Sequence, residues 1–235
     1  MATNKPVEYF GKDLEAMSFA TNYYKWILSE LMPYFGNSVA EIGAGTGNFS
    51  KMLLETKISS LVAYEPSCNM FPLLQEALKK EVRVKTVNDC FGKKIEEQFD
   101  SILYINVLEH IENDKAELIK AKNALSSGGH LLIFVPAQEW LYSDFDKNVG
   151  HFRRYTKKTI TELITSIGFS VVKVRYFDFL GIIPWFINFT LLGNSMNIKI
   201  VLLYDKYFVP LLQLVEKRIP PLLGKNILLV AKKMG

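Results

Sequence analysis

The chain has 235 residues, of which 49% are hydrophobic, and its formal net charge at pH 7 is +4. This length and apolar content are sufficient for one domain with a full core. The basic residues concentrate near the C-terminal end, where residues 173–235 contain nine lysines and arginines against three acidic residues. The net charge is small, and the sequence has no dense Lys/Arg stripe of the kind that nucleic-acid-binding proteins carry. No nucleic-acid partner is therefore predicted.

Cysteine usage favours neither a disulfide framework nor a zinc site. Only Cys68 and Cys90 are present, and no metal-ligand spacing links them to the three histidines. No metal is therefore predicted. The first ten residues contain no basic segment followed by an apolar one, which argues against a signal peptide. We expect a protein of the reducing cytoplasm.

The order of apolar residues predicts alternating helices and strands. An amphipathic helix is predicted over residues 13–34. Five strand-like runs follow, over 38–42, 60–65, 82–87, 99–105 and 129–136. Helical patterns over 49–55, 68–79 and 114–125 separate most of these runs. This alternation predicts βαβ units and a parallel sheet covered on both faces, with ligands bound at the carboxyl ends of its strands.

The C-terminal part adds a helix over 159–167 and two strands over 170–177 and 226–232. Almost fifty residues, about 178–225, lie between these strands, which is too long for a plain connection, and they are rich in Phe, Leu, Ile, Trp and Pro. We expect helices there, acting as a cap, a dimer surface or a membrane-facing patch. Asp178, Gly181 and Pro184 interrupt the apolar run and argue against a transmembrane helix, whereas the nearby lysines suit an interfacial helix on anionic lipid.

A glycine-rich turn, Gly43-Ala44-Gly45-Thr46-Gly47, follows the first strand. Glycines allow a sharp turn and a close approach of ligand to backbone. A dinucleotide-binding fold requires the spacing G-x-G-x-x-G, and Asn48 stands where its third glycine would be. The observed spacing, with Glu41 before it, resembles the first motif of class I S-adenosylmethionine-dependent methyltransferases.

Further segments resemble the same family in the same order. Glu65 ends the second strand, and the resemblance implies that its carboxylate binds both ribose hydroxyls of the cofactor. Asp89, or Asn88 if the register differs by one residue, corresponds to an acid near the adenine. The implied cofactor-binding residues are Glu41, Gly43, Ala44, Gly45, Gly47, Glu65, Pro66, Asp89, Cys90, Asn106 and Tyr23.

The resemblance implies an α/β fold with a Rossmann-like sheet of seven strands, six parallel and one antiparallel, with helices on both faces. Within a single methyltransferase domain over 1–235, we expect four successive parts. They are an N-terminal helical segment (1–36), a cofactor-binding core (37–177), an apolar helical insertion between strands 6 and 7 (178–225) and the last strand (226–235).

Two histidines are candidates for a catalytic base, since histidine titrates near neutral pH. His110 belongs to the segment V-L-E-H-I, which resembles the family's sequence after the fourth strand. His151 opens a G-H-x-R-R-Y-T segment, which resembles a methyltransferase subgroup associated with glycan or lipid biosynthesis. Arg153, Arg154 and Tyr155 are the implied substrate contacts.

The same segment allows a structural alternative. An arginine could bind Asp144 or Asp146 while Thr156 caps the next helix, which would make the segment a latch between elements. His110 likewise could only shape the cofactor pocket.

The sequence therefore favours a methyltransferase that uses S-adenosylmethionine. The expected acceptor is an oxygen of a small molecule or of a lipid-linked or glycan-linked molecule. A peripheral membrane contact through 178–225 and a homodimer remain open. Two other functions are alternatives: a nicotinamide-dependent oxidoreductase and a non-catalytic binding module with the same fold.

Overall fold

The computed structural model describes residues 8–9, 17–92, 97–194 and 196–234. Its strands are β1 (Ser38–Ile42), β2 (Ser60–Tyr64), β3 (Val84–Val87), β4 (Phe99–Ile105), β5 (Leu125–Pro136), β6 (Phe169–Phe177) and β7 (Asn226–Lys233). They form one sheet in the order β3-β2-β1-β4-β5-β7-β6. β7 runs antiparallel to β5 and β6, and the other neighbours pair in parallel. The predicted sheet of six parallel strands and one antiparallel strand is confirmed.

The helices are α1 (Thr21–Leu31), α2 (Asn48–Leu54), α3 (Phe71–Leu78), α4 (Asp114–Ala124), α5 (Asp144–Asn148), α6 (Lys157–Ser166), α7 (Ile182–Trp185), α8 (Ile198–Tyr207) and α9 (Val209–Arg218). A 3-10 turn spans Leu108–His110, and a π-helical turn spans Phe186–Leu191. The first part of the helix predicted over 13–34, residues 13–16, lies outside the described residues. β5 begins four residues earlier than the predicted range 129–136, because Leu125 already pairs with Phe99.

Apolar side chains fill the space on both faces of the sheet. In β4, Ile102 and Tyr104 belong to one buried cluster while Leu103 belongs to the other. Successive side chains of a strand point to opposite faces, so an uninterrupted apolar strand needs cover on both sides. The two layers therefore fix the sheet between helices and bring the carboxyl ends of β1, β2 and β4 to one edge.

Between β6 and β7 the chain forms α7, the π-helical turn, α8 and α9. Asp205 of α8 accepts the backbone N–H groups of Asn22 (3.0 Å) and Tyr23 (2.8 Å) at the first turn of α1. These N–H groups have no partner inside their own helix, and the helix dipole favours a carboxylate there. A residue of α8 thus fixes the start of α1. In the part of the chain that the structure describes, no helix is long and apolar enough to cross a membrane.

Candidate active site

The glycine turn joins the ends of β1 and β2. The N–H groups of Gly43 and Ala44 donate to the carbonyl of Tyr64 over 2.9 and 3.0 Å. Gly43 has a φ of +70°, and a Cβ added there would lie 2.5 Å from Cγ2 of Val107. The left-handed backbone and this contact leave room for glycine only. The turn is therefore pressed against the segment that follows β4.

Glu65 connects this turn to the one after β2. Its buried carboxylate accepts the N–H of Gly45 at 2.7 Å through Oε2 and the N–H of Ser67 at 2.9 Å through Oε1. An ionised carboxylate has about four acceptor positions, so each oxygen keeps capacity for a further donor. A ligand with adjacent hydroxyl groups matches this remaining capacity.

A cavity of about 540 Å³ runs along this edge of the sheet. Eight of the predicted cofactor-binding residues line it: Tyr23, Gly43, Gly45, Glu65, Pro66, Asp89, Cys90 and Asn106. The side chain of Asn88 donates to the carbonyl of Glu65 at 2.9 Å. Of the two neighbours considered from the sequence, Asp89 is thus the one that faces the cavity.

Glu41, Ala44 and Gly47 are absent from the described cavity wall. The buried carboxylate of Glu41 accepts a hydrogen bond from the hydroxyl of Ser50, and its burial raises the pKa of Glu41 to about 8. Ala44 packs in the core and Gly47 precedes α2 with a φ of +83°. Glu41 lies within β1, and Ala44 and Gly47 lie inside the turn, so the three residues support the cavity and do not line it.

Glu109, His110 and His151 meet at one end of the cavity. The imidazole rings of His110 and His151 lie 4.6 Å apart, edge to face. Nδ1 of His151 lies 2.8 Å from Oδ1 of Asp146, and its Nε2 lies 3.9 Å from Oε1 of Glu109. Burial, followed by the charge of His151, lowers the pKa of His110 to about 4. His110 is therefore a neutral imidazole at neutral pH.

The segment after His151 matches the structural alternative. Nε and Nη2 of Arg154 contact the two carboxylate oxygens of Asp146 at 2.9 and 3.1 Å, although Arg154 also lines the cavity. Arg153 pairs with Asp114 at 2.7 Å. The hydroxyl of Tyr155 donates to Asp114 at 2.9 Å.

Arg153 and Tyr155, which the sequence predicts as substrate contacts, both bind the carboxylate of Asp114, and neither is among the described residues that line this cavity. Thr156 caps α6, as the latch requires, by accepting the N–H of Thr159 at 3.1 Å.

Sequence reasoning missed several residues of this site. Glu109 was passed over beside His110, although it offers a carboxylate in the same motif. Glu109, His110 and His151 each offer one ligand atom, and these atoms lie within 4.8 Å of one another, so they could hold a metal ion. Lys225, which no motif marks, lines the cavity and pairs with Asp178 at 2.9 Å. Long-range folding alone brings it there.

Comparison with known proteins gives the family. A sequence model described as a methyltransferase domain matches residues 18–174. The chain is 28% identical over 125 residues to an uncharacterized methyltransferase of Bacillus mycoides, covering 52% of this chain and 57% of the relative. It is 30% identical over 112 residues to one of Anoxybacillus flavithermus, covering 47% and 52%. The chain thus spans about half the length of the curated relatives it matches.

Solved structures share the fold at low sequence identity. A chain from the complex of the Trm112 methyltransferase activator with a methyltransferase of Haloferax volcanii has a TM-score of 0.68 at 14% identity, over 95% of this chain and 94% of that one. The N-methyltransferase NodS of Bradyrhizobium japonicum, with S-adenosyl-L-homocysteine, has a TM-score of 0.60 at 14% identity, over 92% and 87%.

Phosphoethanolamine N-methyltransferase 2 of Haemonchus contortus, with S-adenosyl-L-methionine, has a TM-score of 0.64 at 17% identity, over 95% and 58%. These likenesses show the fold. With the matched domain and the sheet order, they establish that the chain belongs to the methyltransferase domain family.

Proposed function

We propose that the chain transfers a methyl group from S-adenosylmethionine to an oxygen of a small-molecule, lipid-linked or glycan-linked acceptor. S-adenosylmethionine is the cofactor, in keeping with the family match. The observation that carries the proposal is the carboxylate of Glu65, which is held by the N–H of Gly45 inside a cavity at the strand ends. This arrangement suits a ribose with its two neighbouring hydroxyl groups.

Calorimetry with S-adenosylhomocysteine tests this cofactor site. Replacing Glu65 with alanine removes charged hydrogen bonds of about 1.5–3 kcal/mol, so we expect affinity to fall about 10–100-fold. Glu76→Ala is the matched control, since Glu76 is an exposed glutamate of α3 paired with Lys79. Unchanged affinity in Glu65→Ala would contradict the proposed site. A melting-temperature shift with NAD in place of S-adenosylhomocysteine would favour the oxidoreductase alternative.

The histidines support the choice of an oxygen acceptor. Methyl transfer is an in-line displacement, in which the acceptor oxygen forms its bond to carbon while the carbon–sulfur bond breaks. The hydroxyl proton needs an acceptor, and Nε2 of His151 can take it directly because Nδ1 is engaged by Asp146. A nitrogen acceptor is the second candidate, as two of the fold neighbours described above are N-methyltransferases.

The shape of the site supports an acceptor with an apolar part. A second cavity of about 430 Å³ lies among α1, α7, the π-helical turn and α8. Met17, Tyr23, Trp185, Met196 and Lys225 line both cavities. An acceptor with a hydroxyl at the histidines and an apolar chain in the second cavity would use both spaces.

Release of S-adenosylhomocysteine, measured with phenols and alcohols with and without a long alkyl or prenyl tail, tests the acceptor side. On an acceptor from this panel, we expect His151→Ala to lower kcat about 10²–10⁴-fold, the usual contribution of a general base. His110→Ala is the comparison, and we expect a smaller loss. A larger loss in His110→Ala would reverse the assignment. Binding of S-adenosylhomocysteine without turnover on any acceptor would favour a non-catalytic module.

We also propose a cytoplasmic location with peripheral contact to a membrane. The insertion exposes many large apolar side chains: Ile183, Ile187, Leu191, Leu192, Ile200, Leu202, Leu203, Leu211, Leu214, Ile219, Leu222 and Leu223. Basic residues accompany them: Lys199, Lys206, Lys217 and Arg218. Large exposed apolar patches mark interaction sites, and basic residues beside them favour anionic lipid. A homodimer through this surface is the alternative.

A further inference from the structure

Three side chains that could each offer one atom to a metal ion lie close together in the wall of the cavity. Glu109 and His110 lie in the 3-10 turn after β4, and His151 follows α5, so the chain brings them together from two separate segments. The three ligand atoms lie within 4.8 Å of one another. Ligand atoms lie about 2.0–2.2 Å from a bound transition-metal ion, so small side-chain rotations suffice to bring all three onto one centre.

Both imidazoles have partners besides one another, and for His151 the partner is engaged by the ring nitrogen Nδ1. Nδ1 of His151 lies 2.8 Å from the carboxylate of Asp146, which Arg154 also binds. His110 has a hydrogen bond with the backbone of Gly150. Histidines that bind metals are usually oriented in this way, by a carboxylate or a backbone carbonyl on the other ring nitrogen. The pattern leaves Nε2 of His151 free on the side of Glu109.

Glu109 supplies an independent observation. Its side chain is 1% exposed. Neither of its carboxylate oxygens has a hydrogen-bond partner in the described part of the chain. Burying a carboxylate whose oxygens have no hydrogen-bond partner is costly. An orphaned buried group of this kind requires a cause, and the charge of a cation would supply one.

We propose that Glu109, His110 and His151 bind a divalent transition-metal cation. Two imidazoles and one carboxylate form a common ligand set for such ions, and three protein ligands leave coordination positions open. Because the three side chains line the same cavity as Glu65, a bound ion would lie in that cavity, where an acceptor could reach it. This role at the acceptor rests on the proposed function, whereas binding of the ion does not.

The ion would change how the acceptor is activated. A bound divalent cation lowers the pKa of an oxygen that coordinates it. With the ion present, His151 is a ligand and the acceptor hydroxyl releases its proton to water. Without the ion, His151 accepts the proton directly. A metal chelator therefore separates the two routes in any acceptor assay.

The test uses the full chain without a histidine tag, stripped with EDTA and titrated with Mn²⁺ and Zn²⁺ by calorimetry and with Co²⁺ by visible absorption. We expect one ion per chain. Affinity should fall at least 100-fold in His110→Ala and His151→Ala and in the isosteric Glu109→Gln. His130→Ala is the matched control, since this third histidine lies on β5 outside the cluster, and its affinity should equal that of the unmodified chain.

Far-UV circular dichroism shows whether each variant is folded, and calorimetry with S-adenosylhomocysteine on the same samples measures cofactor binding. Cofactor binding without stoichiometric metal binding would overturn the metal site and leave the proposed function standing. Metal binding that survives all three substitutions in folded protein would also overturn it. Metal binding that is lost in the three variants, in a chain that binds no S-adenosylhomocysteine, would support the metal site and contradict the proposed function.

Discussion

Gly43 illustrates how one position couples backbone geometry to the cofactor site. Its left-handed φ of +70° lets the turn return toward β2, and its missing side chain makes room for Val107. Val107 belongs to the segment after β4 that also carries Glu109 and His110. A side chain at Gly43 would therefore disturb both the glycine turn and the segment that carries Glu109 and His110.

We predict that Gly43→Ala destabilises the protein by more than the backbone alone requires. A left-handed non-glycine residue costs about 1–2 kcal/mol, and at Gly43 the clash with Val107 adds to this cost. Gly193→Ala is the control, because Gly193 has a φ of +62° with nothing within 4 Å of the added Cβ. Urea unfolding and calorimetry with S-adenosylhomocysteine provide the measurements.

Val107→Ala removes the clashing Cγ atoms and should restore part of the stability of Gly43→Ala. If Gly43→Ala and Gly193→Ala lose the same stability, and adding Val107→Ala to Gly43→Ala has no effect, the contact with Val107 is unimportant.

Among the elements, α5 is organised around Asp146. This short helix has only five residues, yet the carboxylate of Asp146 binds His151 and Arg154 and accepts the N–H of Ser143 at its own N-cap. These contacts join α5 to the chain leading into α6. Burial opposes the ionised form of Asp146, but the hydrogen bond with His151 and the charge of Arg154 outweigh it and lower the pKa of Asp146.

We predict that Asp146→Ala lowers the free energy of unfolding by about 3–5 kcal/mol, because it leaves the buried guanidinium of Arg154 unpaired. Asp144→Ala provides the contrast within the same helix. Asp144 pairs with Lys147 on the surface, where the side chains are 82% and 64% exposed, and such pairs contribute less than about 1 kcal/mol. Similar losses in the two variants, measured by urea unfolding, would argue against the latch.

For the whole molecule, the insertion gives the site a second wall and the surface its apolar patch. α8 supplies Asp205 to cap α1, and Glu216 of α9 binds Arg175 of β6 at 2.9 Å. These polar anchors hold the insertion to the sheet and leave its outer apolar side chains uncovered. The wall of the second cavity and the proposed membrane contact therefore belong to one structural unit.

We predict that the protein sediments with vesicles containing anionic phosphatidylserine and that high salt weakens this binding, because charge attraction is screened. Leu191→Glu with Leu192→Glu should reduce binding several-fold, since these side chains are 63% and 62% exposed. Val82→Glu, next to β3, is the control at a fully exposed apolar residue. If the unmodified protein binds no vesicles and light scattering shows a dimer that the Leu191→Glu, Leu192→Glu variant has lost, the patch is a dimer surface.

Features that depend on local sequence were predictable. The period of apolar residues determined the strands, because burial on both faces requires apolar side chains at successive positions. The spacing of the glycines and the acid at Glu65 predicted the turn at the strand ends, because turn conformations depend on neighbouring residues. The position of Asp89 and the alternative of a latch were likewise open to local reasoning.

Packing between distant segments decided which side chains line the cavity. The sequence contains two arginines side by side, and only the positions of Asp114 and Asp146 determine that Arg153 leaves the cavity wall while Arg154 stays on it. Glu109 and Lys225 become part of the site through contacts with residues far away in the chain. The sequence by itself determined the fold class and the methyl donor, and the tertiary structure decided how Glu109, His110, His151 and Arg154 are arranged at the cavity, because these side chains are oriented by partners that no local spacing specifies.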